Sequence, residues 1–161
     1  MGIALVNGRF SLEYPDGFHA MDDAEMSRAY GNDNPNRWGI WDTDRHIIIA
    51  MYWHNPGAVA NTLFGGMADL ASLIKRAENH TKKAHKKLGY AFGSFFETAI
   101  AGQESRGFTY GYAVDGKPQV GQSIIFRENG ITYTVQCLTQ RDLAEANRSI
   151  IEAVLASIRL A

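Results

Sequence analysis

Ile47-Ile48-Ile49-Ala50-Met51 is the stretch from which the architecture can be read. A strand points successive side chains to opposite faces, so five consecutive apolar residues put apolar groups on both. Such a strand belongs in the middle of a sheet that other elements cover above and below. The run therefore calls for helices on two sides of one sheet. Around it, Arg37 to Asp42 and Arg45 to His54 are β-rich runs flanking Asp42-Thr43-Asp44, which reads as a hairpin.

Toward the C-terminus, Tyr90 to Leu138 keeps a period of two. Strands are expected over Tyr90 to Ile100, Gly107 to Val114, Val120 to Arg127 and Ile131 to Leu138. Asp115-Gly116-Lys117-Pro118 joins the second to the third, and Glu128-Asn129-Gly130 joins the third to the fourth. Asp-Gly and Asn-Gly tolerate the positive φ that two-residue hairpins need, so these four strands form an antiparallel meander. Toward the N-terminus, Phe10, Leu12 and Tyr14 alternate in a first strand over Arg9 to Tyr14, which Pro15-Asp16-Gly17 turns.

Three helical patterns remain. Asp22 with Glu25 forms a capping box for a short helix over Asp22 to Tyr30, stopped by the turn residues Gly31-Asn32-Asp33-Asn34-Pro35-Asn36. After Asn55-Pro56-Gly57 the longest helix lies between Asn61 and Leu88. Leu70, Leu73, Ile74, Ala77, Thr81, Ala84 and Leu88 share one arc of it. The last spans Asp142 to Ile158, with Leu143, Ile150, Ile151, Val154, Leu155 and Ile158 as its apolar stripe. Asp142 with Glu145, or Thr139 with Asp142, can cap it. The order β-α-ββ-α-ββββ-α, with short links, implies one α+β domain over residues 1–161. It is an α-β-α sandwich on a mainly antiparallel sheet of about six or seven strands.

The 161 residues carry 16 Lys+Arg against 17 Asp+Glu, a net charge of −1. The pI of about 6.5 lies far from the basic range of dedicated nucleic-acid binders, so no nucleic acid is expected as a partner. A single Cys137 excludes an internal disulfide framework. No run approaches the ~18 apolar residues of a membrane span. No basic leader, apolar core or small-residue cleavage site opens the chain. The cytoplasm is therefore the expected compartment unless a leader has been removed. No motif sets an oligomeric state.

The chemistry-bearing residues give little sign of catalysis. His19, His46, His54, His80 and His85 include no helical i,i+4 pair, and His80 and His85 lie about 140° apart on a helix. Asp42, Asp44 and His46 alternate and could share a metal, but a polar turn accounts for them. Cys137 falls in the run Ile131, Tyr133, Val135, Cys137 and reads as a small core residue. Ser94 lies within a strand rather than on a nucleophile elbow, and Gly65-Gly66 lacks the rest of a phosphate loop. No catalytic residue, metal site or cofactor is expected.

Two surface features remain. Lys75, Arg76, Lys82, Lys83, Lys86 and Lys87 occupy the arc opposite the apolar one, with Glu78 the one acid among them. They read as a solvated face that could also meet an acidic protein surface. Trp38, Trp41, Tyr52, Trp53 and His54 cluster in the central hairpin. Core packing is their default reading, and Trp38, Trp41 and His54 are candidates for the rim of a pocket between sheet and helix.

Arg9-Phe10-Ser11-Leu12-Glu13-Tyr14-Pro15-Asp16-Gly17-Phe18 resembles the first strand of PsbP-like proteins. Phe108-Thr109-Tyr110-Gly111-Tyr112, Asp115-Gly116-Lys117-Pro118 and Ile131-Thr132-Tyr133-Thr134-Val135 resemble its central meander. Ile150 to Arg159, ending Ala156-Ser157-Ile158-Arg159, is similar to its last helix. The resemblance runs over most of the chain. That family also holds the Ran-binding Mog proteins, and the resemblance implies an α-β-α sandwich and a role as a protein-binding accessory factor. No partner-contacting residue of the family maps onto a position here. The expected function is thus a non-catalytic accessory or adaptor domain that binds another protein. The alternative is a small-molecule-binding protein or enzyme with a pocket between sheet and helix.

Overall fold

The computed structural model describes residues 1–30, 34–55 and 69–161. The elements are, in chain order, β1 (Gly2–Val6), β2 (Phe10–Tyr14), β3 (His19–Ala20), α1 (Asp23–Tyr30), β4 (Arg37–Asp42) and β5 (Ile47–His54). There follow α2 (Leu70–Ala84), β6 (Ala91–Ile100), β7 (Gln103–Val114), β8 (Lys117–Glu128), β9 (Ile131–Gln140), α3 (Ala144–Ser157) and β10 (Arg159–Leu160). Seven strands form one sheet in the order β3-β4-β5-β9-β8-β7-β6, antiparallel throughout.

Within this sheet β5 lies between β4 and β9, with Ile49 opposite both Ile40 and Cys137. Ile47, Ile49 and Met51 point to one side, into a core with Phe10 and Leu12 of β2 and Ile151, Val154 and Ile158 from the C-terminal segment. Ile48 points to the other side, toward Leu70, Leu73, Ile74 and Ala77 of α2 and the rings of Phe108, Tyr110 and Tyr112. The two-sided apolar run thus separates two cores, each closed by a different helix. Each fully buried Ile contributes roughly 1.5–3 kcal/mol relative to exposure. On the α3 side three rings interlock: Phe10 meets Phe126 and Tyr133 edge-on at 5.5 and 4.8 Å, and Phe126 stacks on Tyr133 at 5.3 Å.

The expected first strand forms but does not join the main sheet. As β2 it is the middle of a second, three-stranded sheet, β1-β2-β10. Neither β1 nor β10 was expected. Asn7-Gly8, with φ of +53° and +63°, makes the β1–β2 hairpin in the same way that Asp115-Gly116 and Asn129-Gly130 make theirs. The remaining two-residue turn of the meander, Ala101-Gly102, holds an alanine at φ +53°. The small sheet is pinned to α3 by Ser157, whose Oγ accepts from Glu13 N at 2.9 Å and donates to Glu13 O at 3.1 Å.

Helix ends follow local chemistry. At α1 the capping box is complete: Glu25 N donates to Asp22 Oδ1 at 2.8 Å, and Asp22 N donates to Glu25 Oε1 at 3.1 Å. Asp69 caps α2 by accepting from Ser72 N at 2.7 Å. Leu88, expected on the helical arc, falls in a short 3₁₀ turn over Lys86–Leu88 beyond the end of α2. The caps expected for the last helix are absent. It opens with a 3₁₀ turn over Arg141–Leu143 and no side-chain cap. Thr139 is already engaged, its Oγ1 accepting from Asn147 Nδ2 at 2.9 Å. The stop at residues 31–33, the turn beyond Asn55, the start of the long helix before residue 69 and Gly65-Gly66 lie outside the described residues.

Asn147, only 5% exposed, also donates to Arg45 O at 2.8 Å and so ties α3 to the β4–β5 hairpin. Asn147→Ala leaves the buried Thr139 hydroxyl and the part-buried Arg45 carbonyl without that donor and is expected to cost about 2 kcal/mol. Urea unfolding should show a lower midpoint at an unchanged slope.

Candidate functional site

The helix that closes one core also carries the densest charge. Its apolar arc faces β7 and β8, so the arc of Lys75, Arg76, Lys82 and Lys83 is exposed, as are Lys86 and Lys87 in the turn beyond. None of the six lies within ion-pair distance of a carboxylate among the described residues. Glu78, the acid nearest in sequence, accepts instead from the Tyr90 hydroxyl at 2.7 Å. The cations crowd toward the helix C-terminus, where the backbone dipole stabilises positive charge in the folded chain.

Beside this helix runs β6, the last strand of the large sheet, which pairs with β7 alone among the described residues. It exposes two aromatic rings, Phe92 at 45% and Phe95 at 44%, their centroids 4.9 Å apart. Phe95 also borders a cavity of about 350 Å³ together with Ile74 and Lys75 of α2. The aromatic pair and the basic helix are therefore neighbours. The period of two in Tyr90 to Ile100 shows a strand but not that it is an edge, so these rings were not legible as surface.

The three expected rim residues do not converge. Trp38 is paired with Met51 and packs into the α3-side core, whereas Trp41 is paired with Ile48, which packs into the α2-side core. Three residues apart on one strand, they point to opposite faces. His54 is exposed, six residues beyond Ile48 on β5, which is about 20 Å along the strand.

Two larger clefts flank the sheet instead. One, of about 500 Å³, lies between α2 and the sheet and is bordered by Tyr52, Thr81, His85, Tyr112, Ser123 and Gln136. His85 Nδ1 donates to Thr81 O at 2.8 Å, and the ring leans on Tyr112 at 4.6 Å. Burial pushes the Tyr112 hydroxyl up to about 12 and that of Tyr110 higher, so both stay neutral at physiological pH. The second, of about 510 Å³, lies on the opposite face, between α3 and the strands β6–β9.

No group of three or more metal-ligating side chains occurs among the described residues. Asp42 is buried as a turn residue. Its Oδ1 accepts from Asp44 N at 3.1 Å and Arg45 N at 3.0 Å, and its Oδ2 pairs with Arg45 Nη1 at 2.9 Å. That leaves little of the carboxylate for a metal shared with Asp44 and His46. Cys137 is 2% exposed, and burial pushes its thiol up to about 12. It is a protonated core residue, without the thiolate that nucleophilic catalysis needs.

No family model matches the chain, and no curated protein does. Solved structures do, and they define the class: the architecture is the PsbP-like fold. Cyanobacterial PsbP (CyanoP) from Synechocystis superposes with a TM-score of 0.66 at 13% identity, covering 94% of this chain and 86% of that one. LpqN, involved in cell envelope biogenesis of Mycobacterium tuberculosis, gives 0.57 at 14% identity, covering 94% and 83%. A Bacteroides thetaiotaomicron protein gives 0.58 at 12% identity, covering 94% of this chain and 45% of its own. At these identities the likeness is one of fold alone. No described helix is long and apolar enough to cross a membrane. A likeness of fold alone places the chain in no compartment, so the expected cytoplasmic location finds no support here.

The Cys137 environment has a measurable consequence. An unfolded chain releases this proton near pH 8.5, whereas the folded chain holds it until about pH 12. The folded state therefore binds more protons between those values, and stability falls as pH rises through that window. The urea midpoint should decline from pH 8 to pH 10.5, and iodoacetamide should label Cys137 in urea but not in the folded protein. Rapid native labelling at pH 8 would contradict the assignment.

Proposed function

We propose that this protein is a non-catalytic accessory factor that docks onto an acidic surface of another protein through the outer face of α2. One observation carries the reading: among the described residues, six exposed cations without ion-pair partners run beside the exposed Phe92–Phe95 pair on a strand with no partner on its outer side. An apolar anchor bordered by charge is the usual layout of a protein interface, with aromatic rings giving affinity and cations giving orientation and rate. The PsbP-like architecture supports an accessory role by analogy of fold. The cations are grouped on a helix with its other face in the core, which favours a partner protein over a membrane surface.

Lys82→Glu/Lys83→Glu/Lys86→Glu leaves the core untouched, so the circular dichroism spectrum and thermal midpoint should not change. Capture of the native partner at low salt should fall by about tenfold or more, and its dependence on ionic strength should flatten. Phe92→Ser/Phe95→Ser should weaken capture at every salt concentration. Capture unaffected by both variants would remove this surface from consideration.

A further inference from the structure

On the face of the sheet opposite the basic helix, β7 alternates large and small residues in a way that the core does not require. Phe108, Tyr110 and Tyr112 fill the α2 side, while Thr109 and Gly111 face the α3 side. On the neighbouring edge strand Gly93 faces the same way, since a Cβ added there would collide with Thr109 Oγ1. That hydroxyl is held in place, accepting from Ser94 N at 3.0 Å. α3 lies against β2 and β9, so this lowered part of the sheet becomes the floor of the 510 Å³ cleft, with Ile151 of α3 on its wall. The volume falls within the ~300–1,000 Å³ range of small-molecule sites.

The charge in the cleft is placed at one end. Arg141, at the start of the 3₁₀ turn that leads into α3, lies over Gly111, where a Cβ would come within 3.1 Å of its Nη2. Glycine at 111 thus leaves room for a guanidinium on the cleft floor. The Arg141 guanidinium makes no hydrogen bond and no ion pair among the described residues, whereas Arg148, the other cation of the cleft, is paired with Glu145 at 2.9 Å. The turn and helix that follow Arg141 have no side-chain cap, so the positive end of the helix dipole adds to the same spot. Glu152 borders the cleft two helical turns beyond Ala144, about 12 Å along α3, and disfavours an anion at that end.

We infer that this cleft binds a small apolar carboxylic acid, its hydrocarbon body on the glycine-lined floor against Ile151 and its carboxylate on Arg141. Planar guanidinium and carboxylate groups pair through two parallel hydrogen bonds, which gives the site its preference for acids over neutral molecules of the same shape. The site stands on the face of the sheet opposite the proposed protein-docking surface, so either can fail without the other.

Phenylbutyrate and its neutral amide, phenylbutyramide, are the probes. Titrated into the isotope-labelled full chain, phenylbutyrate should shift the backbone amide signals of Gly93, Gly111 and Arg141 and saturate at about millimolar concentration. The amide should bind about tenfold more weakly, and Arg141→Gln should reduce acid binding by a similar factor while leaving the thermal midpoint unchanged. Gly111→Ala, which crowds the guanidinium, should weaken binding as well. Equal binding of acid and amide, shifts confined to other residues, or full affinity in Arg141→Gln would each overturn the assignment. So would an absence of saturation.

Discussion

A strand with apolar side chains on both faces cannot be satisfied by one covering layer. β5 presents Ile47, Ile49 and Met51 to one side and Ile48 to the other, and the rest of the molecule is arranged to keep both sides dry. α2 closes one core. α3 closes the other together with β2, whose Phe10 locks against Phe126 and Tyr133. Polar links fix the second layer: Asn147 reaches Arg45 and Thr139, and Ser157 reaches Glu13. Since each helix gives its apolar stripe to a separate core, the outer face of each is left for solvent or for partners.

Sheet architecture was legible because β structure is written in alternation and in turn residues. The meander's strands and its Asp115-Gly116 and Asn129-Gly130 hairpins appear where the sequence places them. So does the capping box at Asp22 and Glu25. The small sheet was less legible, although Asn7-Gly8 carried the same hairpin signal. β10 has two residues, too few for any period to show. Caps for α3 failed for a tertiary reason, because the Thr139 hydroxyl that could have served is held by Asn147 from across the layer.

Surface features were legible in proportion to how local they are. The basic arc of α2 follows from helical spacing alone, and the structure leaves those residues exposed. Grouping Trp38, Trp41 and His54 on one rim treated nearness in sequence as nearness in space, and strand parity separates the two tryptophans. Conversely, Phe108-Thr109-Tyr110-Gly111-Tyr112 contains the large-small alternation that makes the α3-side cleft, but nothing in the sequence says which face stays uncovered. Arg141 gains its position from Gly111, thirty residues earlier in the chain, through a contact made only in the fold.

Native-state hydrogen exchange at β5 is the most direct test of the two-core account. The amides of Ile48, Ile49 and Ala50, with those of their β9 partners, should exchange only when the whole molecule unfolds, at the free energy that urea denaturation gives. Exchange of these amides through a smaller opening, while either α2 or α3 stays protected, would contradict the claim that one doubly buried strand holds both layers together.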